Sequence, residues 1–220
     1  MSARELPFLW TPPPISGTGV AFIDSTGEGL AQAACPQTLP PNPYLQQAQL
    51  FESVFTAAEC ERIVSHGEAQ PRWNGRSTSQ DPSYRVCVTS WLERGGDNAW
   101  VFERLSQVVD EANACLGFDL AGFGEPLHYV EYGVGGGFEW HSDLGPGRAS
   151  NRKLSVSVQL SAPGDYDGCE LELCPHGVMK GFRERGSVLV FPAFIPHRVL
   201  RVRSGTRRAL VAWIHGRPFV

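Results

Sequence analysis

Apolar positions along this chain change period at about Leu127. Before it, Thr56-Ala57-Ala58-Glu59 has the form of a capping box, and Cys60, Ile63, Val64 and Gly67 follow at helical spacing, so a helix is predicted to start here. A second helix is predicted from near Asp97, where Trp100, Val101, Leu105, Val108, Val109, Ala112, Cys115 and Leu116 share one stripe until Gly117 ends it. Beyond Leu127 the pattern turns to short runs rich in β-branched and aromatic residues, at 127–132, 154–160, 170–173, 187–191, 198–203 and 207–214, with glycine-rich turns between them. Helices first and short strands afterwards predict a helix-supported antiparallel β-sandwich or jelly roll.

Residues 1–46 fit neither pattern. Pro12-Pro13-Pro14 and Pro40-Pro41-Asn42-Pro43 cannot supply continuous backbone donors, so this stretch reads as an arm preceding a domain over 47–220. Its apolar residues, among them Phe8, Leu9, Trp10 and Phe22, argue against full disorder; packing on the core is the preferred reading, with cover over a site mouth or contact with a partner as the alternatives. At 220 residues the chain suits one domain with one sizeable core.

Charge narrows the partners. The formal net charge is −4, and basic residues are scattered until Arg198, Arg201, Arg203, Arg207 and Arg208, so no broad cationic face argues for nucleic acid. Arg198, Arg201 and Arg203 read as decoration of a solvent-facing strand, with an acidic substrate or partner as the functional alternative. The six cysteines are dispersed through a chain large enough to hold a core without them, which favours reduced thiols. Neither a signal-peptide pattern nor an apolar run long enough for a membrane span is readable, and the expectation is a cytoplasmic protein with no membrane partner.

The candidate chemistry sits in the β half. His141 and Asp143 are two apart on an extended segment, so both side chains leave the same face and can grip one metal ion. His197 supplies a distant third ligand. Two imidazoles and a carboxylate that leave coordination positions open are the mark of non-haem Fe(II) oxygenases.

Four blocks occur in order: Tyr132-Gly133-Val134-Gly135-Gly136-Gly137-Phe138-Glu139-Trp140-His141-Ser142-Asp143; Tyr166-Asp167-Gly168-Cys169-Glu170-Leu171; Phe191-Pro192 through Pro196-His197; and Gly205-Thr206-Arg207 leading to Trp213. Together they make the stretch from about 50 to 216 resemble the Fe(II)- and 2-oxoglutarate-dependent oxygenases of the prolyl 4-hydroxylase-like superfamily, with a layout similar to the small bacterial PKHD-type hydroxylases. Cys169 departs from the pattern, since the group often has a second glycine there.

The resemblance implies a double-stranded β-helix, a cupin-like jelly roll, with helical support over 50–120 and the core over 121–220. It implies His141, Asp143 and His197 as catalytic metal ligands for Fe(II), and Arg207 as the residue that takes the distal carboxylate of the cosubstrate 2-oxoglutarate. Tyr132 matches the family tyrosine that reaches the same carboxylate, and Ser155 is a second candidate for that contact. Arg208 carries the same charge on the opposite face. The residues flanking each arginine do not separate the two, and family spacing from His197 favours Arg207. O2 is the oxidant, and ascorbate is a candidate stimulant. With Asp143 present the site lacks the vacancy that related halogenases use, so hydroxylation of an aliphatic C–H is implied, with release of succinate and CO2. The substrate is expected to be a small molecule or a peptidyl residue, and the sequence does not indicate an oligomeric state.

Competing readings are weaker. Arg85, Trp91, Trp140 and Arg148 are candidates to line the substrate mouth, against packing for the tryptophans and solvation for the arginines. His66, His128, His176 and His215 read as surface or hydrogen-bonded side chains. Cys169, Cys174 and His176 lack the fourth ligand and spacing of a structural zinc site. Gly133 to Gly137 have no following lysine-serine or helix, so they read as a turn rather than a phosphate loop. A non-catalytic jelly-roll module that keeps its metal for binding or sensing is the alternative to an enzyme.

Overall fold

A computed structural model describes residues 42–75, 79 and 81–219. Most of the proline-rich arm, residues 1–41, lies outside the described residues. In chain order the strands and helices are β1 (Gln49–Phe51), α1 (Ala57–Ala69), β2 (Trp73–Asn74), β3 (Arg85–Val86), β4 (Val88–Leu92), α2 (Ala99–Leu116), β5 (Leu120–Phe123), β6 (Leu127–Tyr132), β7 (Gly137–His141) and β8 (Arg152–Gln159). They continue as β9 (Tyr166–Gly168), β10 (Leu171–Leu173), β11 (Gly177–Val178), β12 (Val188–Pro192), β13 (His197–Val199), β14 (Val202–Gly205) and β15 (Arg207–Gly216).

Both helices form where local chemistry specifies them. At α1 the Thr56 hydroxyl accepts from the Glu59 backbone N–H while the Glu59 carboxylate accepts from the Thr56 N–H, which completes the capping box. α2 ends as Gly117 enters the left-handed region at φ 72°, where its N–H reaches the Asn113 carbonyl. Its buried face is Val101, Phe102, Leu105, Val108, Val109, Ala112 and Leu116, whereas Cys115, at the margin of the predicted stripe, is exposed. α1 docks closely on the sheet because Gly67 has no side chain: a Cβ there would lie 2.4 Å from the Tyr129 ring.

The strands form a jelly roll. A large sheet runs β1-β12-β8-β15-β6-β4-β2, with β5 added beside β15, and a smaller one runs β11-β10-β13-β7-β3. One core lies between the helices and the outer face of the large sheet, around Leu105, Tyr129, Leu154 and Leu210. The other lies between the sheets, around Val130, Leu173, Leu189 and Phe191. Full burial of such a side chain contributes about 1.5–3 kcal/mol over leaving it in water, so tertiary packing outweighs local propensity in holding α2.

Two expectations are corrected. The stretch 50–120 is more than helical support, since β2, β3 and β4 lie within it and extend both sheets. The run 198–203 is two strands rather than one: β13 ends at Val199, the chain turns through Leu200 and Arg201, and β14 joins β9 in a separate pair. The turn is fixed by Leu200 N–H donating to Glu170 O and Cys169 N–H donating to Arg201 O. Among the described residues no helix is long and apolar enough to cross a membrane.

Candidate active site

Alternation along β15 decides which of its side chains face the space between the sheets. Arg207, Ala209, Val211 and Trp213 line a cavity of about 690 Å³ there. Leu210, Ala212 and Ile214 belong to the core under the helices, and Arg208 reaches Glu68 and Glu131, each at 3.2 Å. Neighbouring strands add inward residues in register: Tyr132 opposite Arg207 and His128 opposite Val211 on β6, Ser157 opposite Val211 and Ser155 opposite Trp213 on β8. Arg207 and Arg208, equivalent by charge, are thus separated by face.

His141 ends β7 and His197 begins β13, and the two are register partners across the smaller sheet. Asp143 follows in a loop held by its own N–H and that of Leu144, both donating to Ala193 O. Ligand atoms of the three residues all lie within 4.8 Å of one another, the one such group of three or more among the described residues. His197 Nε2 is 3.5 Å from Asp143 Oδ2, and His141 Nε2 is 3.9 Å from Oδ1.

The donor set is oriented for a metal. His141 Nδ1 lies 2.8 Å from Glu139 O and His197 Nδ1 lies 3.0 Å from Ile195 O. A carbonyl can only accept, so each Nδ1 carries the proton and each Nε2 lone pair is free toward the cluster. Rings pack the imidazoles in place: Phe138 stacks on His141 at 3.5 Å between centroids, and Phe191 meets His197 edge-on at 5.0 Å. Burial first, then the neighbouring His197, brings the His141 pKa down to about 4 against the opposing pull of Asp143. Burial pushes Asp143 the other way, but His197, His141 and the Ser155 hydroxyl outweigh it and hold the carboxyl below its usual value. At neutral pH this leaves a neutral His141 and an ionised Asp143, the protonation states that metal ligation needs. An Fe(II) ion therefore fits the residues present.

Arg207 is 3% exposed. Its Nε donates to Gln159 Oε1 at 2.9 Å and the Cys169 thiol lies beside the guanidinium. No carboxylate pairs with it among the described residues, and a buried unpaired charge costs several kcal/mol. A carboxylate ligand in the cavity relieves that cost, so the residues also fit 2-oxoglutarate. Tyr132, directly across from Arg207, has its hydroxyl pKa raised by burial and stays a proton donor.

The remaining candidates separate. Ser155 lines the cavity, but its hydroxyl donates to Asp143 Oδ2 at 2.6 Å. Arg85 lines the cavity with its guanidinium 4.8 Å above the Phe138 ring, and Trp91 lines it too. Trp140 and Arg148 do not: Trp140 carries the Arg198 guanidinium 4.8 Å from its ring centroid, and Arg148 is exposed in the turn at 147–151. Arg198, Arg201 and Arg203 pair with Glu172, Glu139 and Asp167, which accounts for that charge without a ligand.

His128, read from sequence as a surface or hydrogen-bonded side chain, is instead a buried residue of the cavity wall, and sequence reasoning gave no cavity role to Trp213 or Arg152. His128, only 4% exposed, stacks between Trp91 and Trp213 at 4.3 and 5.6 Å. The Trp213 indole N–H is buried with no hydrogen bond formed, yet near enough to favour the Asp143 charge. Arg152 lies 3.7 Å over the Trp213 ring, makes two bonds to Glu125 at 2.7 and 2.8 Å, and donates to Asp143 O at 3.2 Å. A signal was present for β8, where Ser155, Ser157 and Gln159 alternate with valines. All three are buried: Ser155 and Ser157 line the cavity, and Gln159 lies against Arg207.

Residues 127–215 match the 2OG-Fe(II) oxygenase superfamily. A PKHD-type hydroxylase of Crocosphaera subtropica is 36% identical over 172 residues, covering 75% of this chain and 77% of the relative. Among solved structures, a Pseudomonas putida prolyl-4-hydroxylase superposes with a TM-score of 0.59 at 20% identity, over 78% of this chain and 94% of its own. A Trichoplax adhaerens prolyl hydroxylase in complex with a hypoxia inducible factor oxygen degradation domain peptide fragment gives 0.61 at 19% identity, over 76% and 83%.

Proposed function

Because the chain belongs to the 2OG-Fe(II) oxygenase superfamily, of prolyl 4-hydroxylase-like type, and is an Fe(II)- and 2-oxoglutarate-dependent hydroxylase, we propose that it oxidises an aliphatic C–H of an amino acid, a peptidyl residue or a biosynthetic intermediate, releasing succinate and CO2. The observation that carries the site assignment is the presence, in one cavity, of a metal-ligating triad and a buried arginine with no carboxylate partner among the described residues. His141, Asp143 and His197 hold the iron, and Arg207 with Tyr132 takes the distal carboxylate of 2-oxoglutarate. When bound, the iron and its keto-acid cosubstrate supply the activation of O2.

The chain's own residues do the rest. The two backbone-anchored imidazoles present Nε2, and Ser155 keeps one Asp143 oxygen hydrogen-bonded. Arg207 fixes the cosubstrate's far end by charge and geometry, so its near end is aimed at the triad. Tyr132 stays protonated and donates. Phe138 and Phe191, packed on the two imidazoles, join Val199 and Leu171 as apolar lining that limits water in the cavity. Trp91, His128 and Trp213 form an aromatic wall on which a substrate segment can lie. The substrate's identity is a separate matter, since one fold serves many substrates. Buried free thiols at Cys60, Cys87 and Cys169 are compatible with a reducing cytoplasm.

The test is anaerobic titration of Fe(II)-loaded protein with 2-oxoglutarate. The expected result is a weak visible charge-transfer band that decays with succinate formation when air is admitted. Iron binding without any band overturns the cosubstrate assignment and favours a metal-containing binding module.

A further inference from the structure

Arg207 is held from behind. Its Nε donates to Gln159 Oε1 at 2.9 Å, and Gln159 is completely buried. The amide cannot be turned over: its Nε2 donates to Ser161 O at 3.1 Å and to the Tyr166 hydroxyl at 2.9 Å, which leaves Oε1 to face the arginine. Tyr166 is itself fixed, with the Arg183 guanidinium 4.6 Å over its ring and donating to its carbonyl. The Gln159 backbone is tied on both sides, its N–H to Ser187 O and its carbonyl to Gly186 N–H.

A buried amide with every bonding group engaged is costly to install where an aliphatic side chain would fill the same space. Its effect here is specific. By occupying Nε, Gln159 fixes the plane of the guanidinium and leaves the terminal nitrogens, which no carboxylate among the described residues engages, as the edge of the fork open to a ligand. Being neutral, it does so without cancelling the charge, which an acidic partner would.

We propose that Gln159 is a positioning residue for the cosubstrate: through Arg207 it sets the orientation, and preserves the charge, that capture the distal carboxylate of 2-oxoglutarate. This rests on the assignment of Arg207 to that carboxylate. Gln159→Glu keeps the shape and places a carboxylate against Arg207 that competes with the ligand. Gln159→Met keeps the volume and removes the acceptor.

Anaerobic binding of 2-oxoglutarate and of Fe(II) is measured separately for wild type and both variants, alongside Tm. The expected result is a 2-oxoglutarate Kd weakened by about tenfold or more in each variant, with Fe(II) affinity unchanged. A purely structural role moves Tm and iron affinity together and leaves the cosubstrate Kd alone, and that result overturns the proposal. So does a cosubstrate Kd within about twofold of wild type in Gln159→Glu. Failure of wild type itself to bind 2-oxoglutarate counts instead against the assignment on which the proposal stands.

Discussion

The Ser155 hydroxyl donates to Asp143 Oδ2 at 2.6 Å, joining β8 of the large sheet to the carboxylate of the triad. From sequence Ser155 was a candidate for the cosubstrate carboxylate. Its bond also suits it to support a proposed metal ligand, and such supports hold the donor's orientation and charge. Ser155→Ala is expected to weaken Fe(II) binding about 10-fold to 100-fold while leaving the fold intact. Equilibrium iron titration checks it. Unchanged iron affinity with a raised 2-oxoglutarate requirement would return Ser155 to its first role.

Arg207 and Arg208 make a matched pair for testing the face assignment. Arg207→Ala is expected to weaken 2-oxoglutarate binding at least about 30-fold, roughly 2 kcal/mol, through loss of a charge-assisted fork. Arg208→Ala removes surface pairs with Glu68 and Glu131, worth about 1 kcal/mol or less in stability, and is expected to leave cosubstrate binding unchanged. Comparable loss in both variants would sink the assignment.

Much of this site was legible because its parts obey local rules. The capping box at Thr56, the stop at Gly117 and the spacing of His141 and Asp143 need only neighbouring residues to be read. The early strands did not announce themselves, because β2 and β3 are two residues long and gain their pairing from partners far along the chain. Choosing between Arg207 and Arg208 required knowing which side of β15 the helices cover, since both faces of that strand are apolar. Arg152, Glu125 and Gln159 were missed for a related reason: a polar residue buried by its partners looks, in sequence, like one exposed to water.

Arg152 and Glu125 form such a pair, mostly buried, with His215 on the same carboxylate. Arg152 also donates to the Asp143 carbonyl, so the pair braces the loop that carries the proposed ligand. Arg152→Met is expected to destabilise the protein by roughly 2–4 kcal/mol, because it strands a buried carboxylate. The double variant Arg152→Met, Glu125→Leu is expected to recover part of that loss, since nothing charged is left unpaired. Urea denaturation of the three variants and wild type checks both statements. A double variant less stable than Arg152→Met would show that packing over Trp213, rather than charge, is what the arginine supplies.

His128 gives the cavity a pH dependence of known sign. Burial first, then Arg85 and Arg152, brings its pKa from 6.5 down to about 3, despite the opposing effect of Asp143. The unfolded chain therefore takes up a proton below pH 6.5 that the folded chain refuses until about pH 3. Across that window the unfolded state binds more protons, so stability rises with pH and is lost as pH falls. At pH 5 the loss from this group is about 2 kcal/mol relative to neutral pH. His128→Phe keeps a ring between Trp91 and Trp213 and removes the titration. Metal-free wild type should therefore lose stability relative to the variant between pH 7 and pH 5, by about that amount. Denaturation curves at the two pH values measure it, and parallel behaviour of the two proteins would mean that His128 takes up its proton in the folded state as readily as in water.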